Sequence, residues 1–358
     1  MTSIATLARS WQRHRLFWPV VVLVALLLAN VVYRGSFFSI ELRDGHLYGS
    51  LVDIVRLSSP LILVALGMTL VIATGGIDLS VGAVVAICGA IACLRISQQG
   101  DQNSLGGVLS ALGIALVLAL ALGLWNGILV AGIGIQPIIA TLILMVAGRG
   151  LAQLITGGQI ITINSSPYKL IGAGYWLTIP FAIFIALGVT VLAVILTRRS
   201  ALGMIVESVG GNAEASRLAG IRSRRITVMV YVFSAFCAGI AGFMVTANIS
   251  GADGNNAGLW IELDAILAVV IGGTSLAGGR FSIGGTVIGA LIIQTLTTTV
   301  YSMNITPQTS LLFKALVVIA VCLIQSPTFR ARLGGRVLRR RPPQPSPADE
   351  TPKVQVPA

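Results

Sequence analysis

The sequence predicts an all-α polytopic membrane protein of about ten transmembrane helices, with two related halves and glycine-broken helices. Three observations predict it. Of 358 residues, 55% are hydrophobic and only 10% are charged, and mean hydropathy is +0.92; a soluble domain of this size needs far more surface charge. The apolar residues also come in uncharged blocks long enough to cross about 30 Å of hydrocarbon as helix, which takes roughly 20 residues. Finally, 15 of the 24 basic residues fall in three clusters outside those blocks.

The spans are expected near 17–33, 51–73, 79–97, 106–131, 136–155, 175–196, 227–248, 261–274, 282–302 and 309–325. The first follows Arg9, Arg13 and Arg15 as a signal peptide would, but it lacks a small-residue cleavage site and reads as a retained span. Arg198, Arg199, Arg217, Arg222, Arg224 and Arg225 share the loop between the sixth and seventh spans, and Arg330, Arg332, Arg336, Arg339, Arg340 and Arg341 follow the last one. Basic residues in short loops at span ends mark the cytoplasmic side. Both termini are therefore expected in the cytoplasm of a bacterial inner membrane protein, with 34–50, 98–105, 156–174, 249–260 and 303–308 on the periplasmic side.

The resulting organisation is a cytoplasmic segment at 1–16, a transmembrane domain at 17–326 with a cytoplasmic loop at 197–226, and a tail at 327–358. The tail is basic and then rich in proline, and is expected to be disordered. The net charge of +12 does not indicate a nucleic-acid partner, because no stacking aromatics or nucleic-acid fold motif accompany it. Cys88, Cys93, Cys237 and Cys322 lie in apolar runs without metal-ligand spacing and read as packing residues. His14 and His46 lie outside the spans, and no nucleophile–base or metal arrangement suggests an enzyme.

Two apolar segments are interrupted in similar words, Gly75-Gly76-Ile77-Asp78-Leu79-Ser80-Val81-Gly82 and Gly272-Gly273-Thr274-Ser275-Leu276-Ala277-Gly278-Gly279. Paired interruptions of this kind point to internal repeats and broken helices; close packing of small residues is the other reading. In the polar loop, Gly203, Glu207, Gly210-Gly211-Asn212 and Ala219-Gly220-Ile221 suggest two short helices. The turn between them is assigned to Gly210 and Gly211, which permit φ > 0, with Asn212 capping the second helix. Such a segment either docks on a partner or is an ordinary solvated connection.

These words in this order resemble the ribose-type family of ABC transporter permeases. The resemblance also takes in Glu262-Leu263-Asp264-Ala265-Ile266 and covers most of residues 55–326. Asp44-Gly45-His46-Leu47-Tyr48-Gly49-Ser50, Leu124-Trp125-Asn126-Gly127 and Gly251-Ala252-Asp253-Gly254-Asn255-Asn256 are similar to the galactofuranose-importing branch of that family. The resemblance implies a permease subunit of a monosaccharide importer that binds no cofactor itself. ATP is then used by a separate cytoplasmic ATP-binding subunit, and the sugar arrives from a periplasmic sugar-binding protein. A second permease, the same chain or a paralogue, completes the channel. The chain has no G-x-x-x-x-G-K-[ST] phosphate loop, which agrees with that division of labour. The resemblance assigns the ATPase-coupling role to Gly203, Glu207, Gly210, Gly211, Asn212, Ala219 and Gly220.

A neutral sugar needs hydrogen-bonding groups but no counter-ion. Asn126, Gln136, Thr246, Asn248, Asn255, Asn256 and Trp260 are candidates for the path or its mouth, with interhelical hydrogen bonds as the alternative. Asp78 is a further candidate because ionisable groups at membrane depth are costly; capping of the third span is its other reading. Glu262 and Asp264 suit the first turn of a helix, where acids favour the dipole. Arg149 falls inside a span and requires a buried partner that the sequence does not identify. An ion-coupled secondary transporter is the rival reading, and Asp78 is its one candidate ion site.

Overall fold

The computed structural model describes residues 16–33, 35 and 37–303, with single positions at 309, 312, 315, 316, 319 and 323. The basic N-terminal arm, the tail, Lys314, Cys322 and most of the expected span at 309–325 lie outside the described residues. The helices are α1 Phe17–Tyr33, α2 Ser50–Ala73, α3 Val81–Ser97, α4 Leu105–Gly127, α5 Pro137–Thr156 and α6 Ser166–Gly172. They continue with α7 Phe181–Val194, α8 Leu202–Gly211, α9 Ala213–Leu218, α10 Ser223–Ile249, α11 Ile261–Ile271 and α12 Ile283–Ser302. Helix α4 runs on in wider turns through Ile133, and α7 runs on through Arg199.

Among the described residues, six helices are long and apolar enough to cross a membrane: α2, α4 with its extension, α5, α7 with its extension, α10 and α12. Helices α1 and α3 have 17 residues each and α11 has 11. At about 1.5 Å per residue, α11 alone covers only about half of the hydrocarbon.

Helices α2 and α10 form the centre, and their packing explains why glycine is frequent. A Cβ on Gly67 of α2 would stand 2.7 Å from Ser234 Cα of α10, and one on Gly242 of α10 would collide with the Val85 carbonyl of α3. Lipid tails are as apolar as leucine, so association depends on such close backbone approach and on polar contacts. The Thr69 and Thr286 hydroxyls, 2.7 Å apart, link α2 to α12, and Asn30 Nδ2 donates to Thr299 Oγ1 at 2.8 Å between α1 and α12. Cys88, Cys93 and Cys237 are buried and unpaired within this packing.

The connections gather at two ends. At one end, strand Ile161–Thr162 pairs with Gly251–Ala252, the Asn164 amide donates to Gln102 Oε1 at 2.8 Å, and the Ser166 amide donates to Asn103 Oδ1 at 2.9 Å. The hairpin Glu41–Arg43/His46–Tyr48 joins this end through the Leu47 amide, which donates to the Thr178 carbonyl at 2.9 Å. At the other end, the Gly279 amide donates to the Ala73 carbonyl at 2.9 Å, and Arg198 Nη2 donates to the Phe281 carbonyl at 3.3 Å. The chain is non-helical over Thr74–Ser80, with Gly75 at φ 83°, and again from Gly272 to Ser282, with Gly273, Gly278 and Gly279 at φ 85–86°.

Candidate translocation cavity and coupling surface

A cavity of about 440 Å³ opens between α2, α10, α11 and α12. Its polar lining is Arg56, Asn248, Asn256, Asp264, Gln294 and Tyr301, and Leu57, Leu61, Met244 and Ile261 are among the apolar residues that line it. Arg56 Nη2 donates to Asp53 Oδ1 at 3.2 Å on its own helix, and Nη1 donates to Asn248 Oδ1 at 3.1 Å on α10. The Arg56 side chain is 21% exposed, and its Nε is buried without a hydrogen-bond partner among the described residues. Pro60 also lines the cavity. Its missing N–H leaves the Arg56 carbonyl without the usual helical donor four residues on.

Of the path candidates read from the sequence, Asn248 and Asn256 line this cavity. Asn256 Nδ2 donates to Asp253 Oδ2 at 2.7 Å, and the Asn255 amide donates to Asp253 Oδ1 at 2.8 Å, so one carboxylate orders that turn. Trp260 is 49% exposed at the N-cap of α11 and adopts φ +64°, a left-handed conformation that is rare outside glycine. Gln136 is exposed just before α5. Thr246 is fully buried, with its hydroxyl 2.7 Å from the Tyr168 hydroxyl.

Asp78 and Asn126 are likewise away from the cavity. Asp78 is 2% exposed and accepts from the Ser80 amide (3.1 Å), the Ser80 hydroxyl (2.6 Å) and the Ser234 hydroxyl (2.9 Å). Asn126 Nδ2 donates to Ser80 Oγ at 2.8 Å. The Asp78 carboxylate thus holds the start of α3 against α10, and Ser80 carries the link to Asn126 of α4. Ser80 occupies the N-cap of α3 but makes no side-chain cap of its own; its hydroxyl donates to Asp78 and accepts from Asn126.

Arg149 finds its partners in carbonyls rather than in a carboxylate. Its Nη1 donates to Ala257 O at 2.7 Å, with Asn255 O at 3.4 Å and Gly254 O at 3.5 Å. Glu262 is 2% exposed, and a Cβ on Gly82 would collide with its Oε2. The first turn of α11 is therefore locked against α3, so the dipole explains only part of what this residue does. Asp264 instead lines the cavity.

The polar loop forms α8 and α9 as two short helices, with the break at Asn212 instead of at the glycine pair. Gly210 and Gly211 are both helical, and neither has positive φ. Their roles separate by what surrounds them. A Cβ on Gly210 would stand 2.7 Å from Gly279 N and 2.8 Å from the Ala73 carbonyl carbon, whereas a Cβ on Gly211 would meet nothing within 4 Å. A Cβ on Gly203 would collide with the Thr197 carbonyl. Asn212 caps α9 by accepting from the Ala215 amide at 2.9 Å.

The Ala219-Gly220-Ile221 word closes α9. Gly220 has φ +87°, its amide donates to Arg217 O at 3.0 Å, and the Ile221 amide donates to Ser216 O at 2.9 Å. Two such bonds around a left-handed glycine satisfy the last carbonyls of a helix. Arg217 Nε donates to Glu214 Oε2 at 3.0 Å, and this hydrogen bond holds the Glu214 carboxyl below its usual range. Glu207 is half-buried, while Met204 and Leu218 are 72% and 76% exposed.

The model of a permease family described as "Branched-chain amino acid transport system / permease component" matches residues 50–322. The chain belongs to this family. The permease is 49% identical over 328 residues to the galactofuranose transporter permease protein of Escherichia coli K12, covering 90% of this chain and 94% of that one. It is 40% identical over 332 residues to the fructose import permease of Bifidobacterium longum, covering 91% of each. It is 35% identical to the ribose import permease of Haemophilus influenzae, covering 90% of this chain and 95% of that one. No solved structure matches the permease.

Proposed function

We propose that the chain is the membrane-spanning subunit of an ATP-binding-cassette importer that carries a neutral monosaccharide, galactofuranose first among the candidates. The observation that carries this reading is the chemistry of the cavity. The family description names branched-chain amino acids, while the relatives are named for sugars. A zwitterionic amino acid requires an unmatched cation for its carboxylate and an unmatched anion for its ammonium group. The cation of this cavity, Arg56, is already bonded to Asp53 and Asn248. What the lining offers instead is the Asn248, Asn256 and Gln294 amides, the Tyr301 phenol and an Asp264 carboxylate that already has an interaction within the protein, beside apolar Leu57, Leu61, Met244 and Ile261. That set suits hydroxyls that both donate and accept, and about 440 Å³ lies within the range of small-molecule sites.

In this reading, α8 and α9 receive the movement of a separate ATP-hydrolysing subunit, and the path to the cavity is short. Gly210 of α8 packs on Ala73, the last residue of α2, and on Gly279, whose amide bonds the Ala73 carbonyl. Helix α2 carries Arg56 into the cavity, and the segment containing Gly279 continues from α11, which brings Ile261 and Asp264. Two walls of the cavity therefore end on one contact. A shift of α8 moves both walls, and close packing transmits it because cores are nearly incompressible.

The finer architecture follows the same reading. Nine crossings arise if α1, α3 and α11 complete their passage with the non-helical segments beside them, and the expected span at 309–325, outside the described residues, makes ten. The arginine-rich end is then cytoplasmic, and Asp78, Asn126 and Thr246 support the walls of the path. A periplasmic binding protein delivers the sugar at the opposite end, and a second permease, of the same or a paralogous chain, completes the pore. Uptake into vesicles tests the energy source. The reading requires transport that stops on ATP depletion and survives collapse of the proton gradient; the reverse pattern supports an ion-coupled carrier.

A further inference from the structure

The end of α9 and the start of α10 line a second cavity, whose Arg222, Arg224 and Arg225 the transport reading does not use. It has a volume of about 550 Å³ and is lined by Arg217, Gly220, Ile221, Arg222, Ser223, Arg224 and Arg225. Arg217 is engaged by Glu214. Arg222, Arg224 and Arg225 are exposed, and among the described residues none of the three bonds to a carboxylate. Three arginines without a carboxylate partner among the described residues thus line one concavity. Like charges gathered this way repel one another, so the arrangement favours an anion from outside.

The position in the fold indicates which anion. Arg224 and Arg225 belong to the first turn of α10, whose 27 residues span about 40 Å at about 1.5 Å each, roughly 10 Å more than the hydrocarbon core. Guanidinium groups do not remain in hydrocarbon, so this turn stands at the level of the lipid headgroups. Leu218, 76% exposed between the lining residues Arg217 and Gly220, supplies an apolar side chain beside the pocket. The Ser223 and Arg225 amides at the start of α10 are taken by the Ile221 and Arg222 carbonyls, so the guanidiniums are the donors this pocket offers an anion. Arginine's planar fork matches a phosphate in a way that a point charge does not.

We propose that this pocket binds the phosphate headgroup of an anionic phospholipid and seats the base of α10, next to the α8–α9 segment, on the membrane surface. Such a seat restrains the segment through Gly220 and Ile221, which line the pocket and close α9.

The test uses the full-length permease in nanodiscs of phosphatidylcholine with a minor fraction of phosphatidylglycerol, followed by native mass spectrometry of the lipid it retains. The unmodified protein should retain phosphatidylglycerol selectively, and each of Arg222→Gln, Arg224→Gln and Arg225→Gln should lower that selectivity about fivefold. Arg280→Gln, which removes another exposed arginine outside the pocket, should leave it unchanged. Raising salt to about 1 M, where the Debye length is about 3 Å, should abolish the selectivity in the unmodified protein, which provides a readout independent of any variant. Equal retention by the triple variant would overturn the proposal. So would displacement of the lipid by millimolar inorganic phosphate, which would mark a free-anion site. Normal retention combined with lost association of an ATP-hydrolysing subunit would mark a protein contact and also overturn it.

Discussion

Replacing Gly210 by alanine should uncouple ATP hydrolysis from transport, whereas replacing Gly211 should not. Both residues are helical, so alanine at either should favour α8 by about 0.5–1 kcal/mol. At Gly211 nothing opposes this gain, because the added Cβ meets no atom within 4 Å. At Gly210 the Cβ would stand 2.7 Å from Gly279 N, about 0.7 Å inside an ordinary contact of 3.4 Å, and closer still to the Ala73 oxygen. Both neighbours are backbone atoms joined to each other by a 2.9 Å hydrogen bond, so neither can rotate away. Overpacking of this kind costs about 1–3 kcal/mol, which exceeds the helical gain. The docked position of α8 should then become about tenfold less populated for each 1.4 kcal/mol of net cost. The assay is sugar uptake by proteoliposomes containing the assembled transporter, with ATP hydrolysis measured in parallel. Gly210→Ala should hydrolyse ATP without proportionate uptake, and Gly211→Ala should match the unmodified protein. Equal uptake by the two variants would refute the assignment of α8 as the link to α2.

The other predictions concern the cavity and its supports. Arg56→Met removes the donors to Asp53 and Asn248; with charge-assisted bonds worth about 1.5–3 kcal/mol each, discounted for partial exposure, uptake should fall about tenfold or more at unchanged protein level. Asn212→Ala removes the cap accepted from Ala215, which should cost α9 about 1 kcal/mol and show as faster amide exchange over 213–218. Arg149→Met leaves the carbonyls of Gly254, Asn255 and Ala257 without their donor; hydrogen exchange over 253–258 should rise while the helices stay protected.

The helices were legible in the sequence because length and hydropathy decide them. The expected 51–73 is found as Ser50–Ala73, and 282–302 as Ile283–Ser302. Asn212 as a cap was legible for a similar reason, since capping is local. The cavity was not legible, because α2, α10, α11 and α12 bring together residues as distant as Arg56 and Tyr301. Arg56 lies near the start of a span, where arginine ordinarily snorkels. The available signal was Asp53, three residues earlier on the same helical face. Gly210 and Gly211 show the limit most clearly. They are the same residue type at adjacent positions, and only tertiary neighbours reveal that one is a contact and the other is open. For Asp78 the sequence left a path role and a capping role open, because cost at membrane depth does not say how a carboxylate is satisfied; two serine hydroxyls and an amide bond it in place.

The most direct measurement is substrate choice. Proteoliposomes containing the permease with its ATP-hydrolysing and binding-protein partners, loaded with ATP, are offered labelled galactofuranose and labelled leucine in turn. The cavity chemistry requires ATP-dependent accumulation of the sugar, no accumulation of leucine, and loss of sugar uptake in Arg56→Met. Accumulation of leucine, or sugar uptake untouched by Arg56→Met, would contradict it.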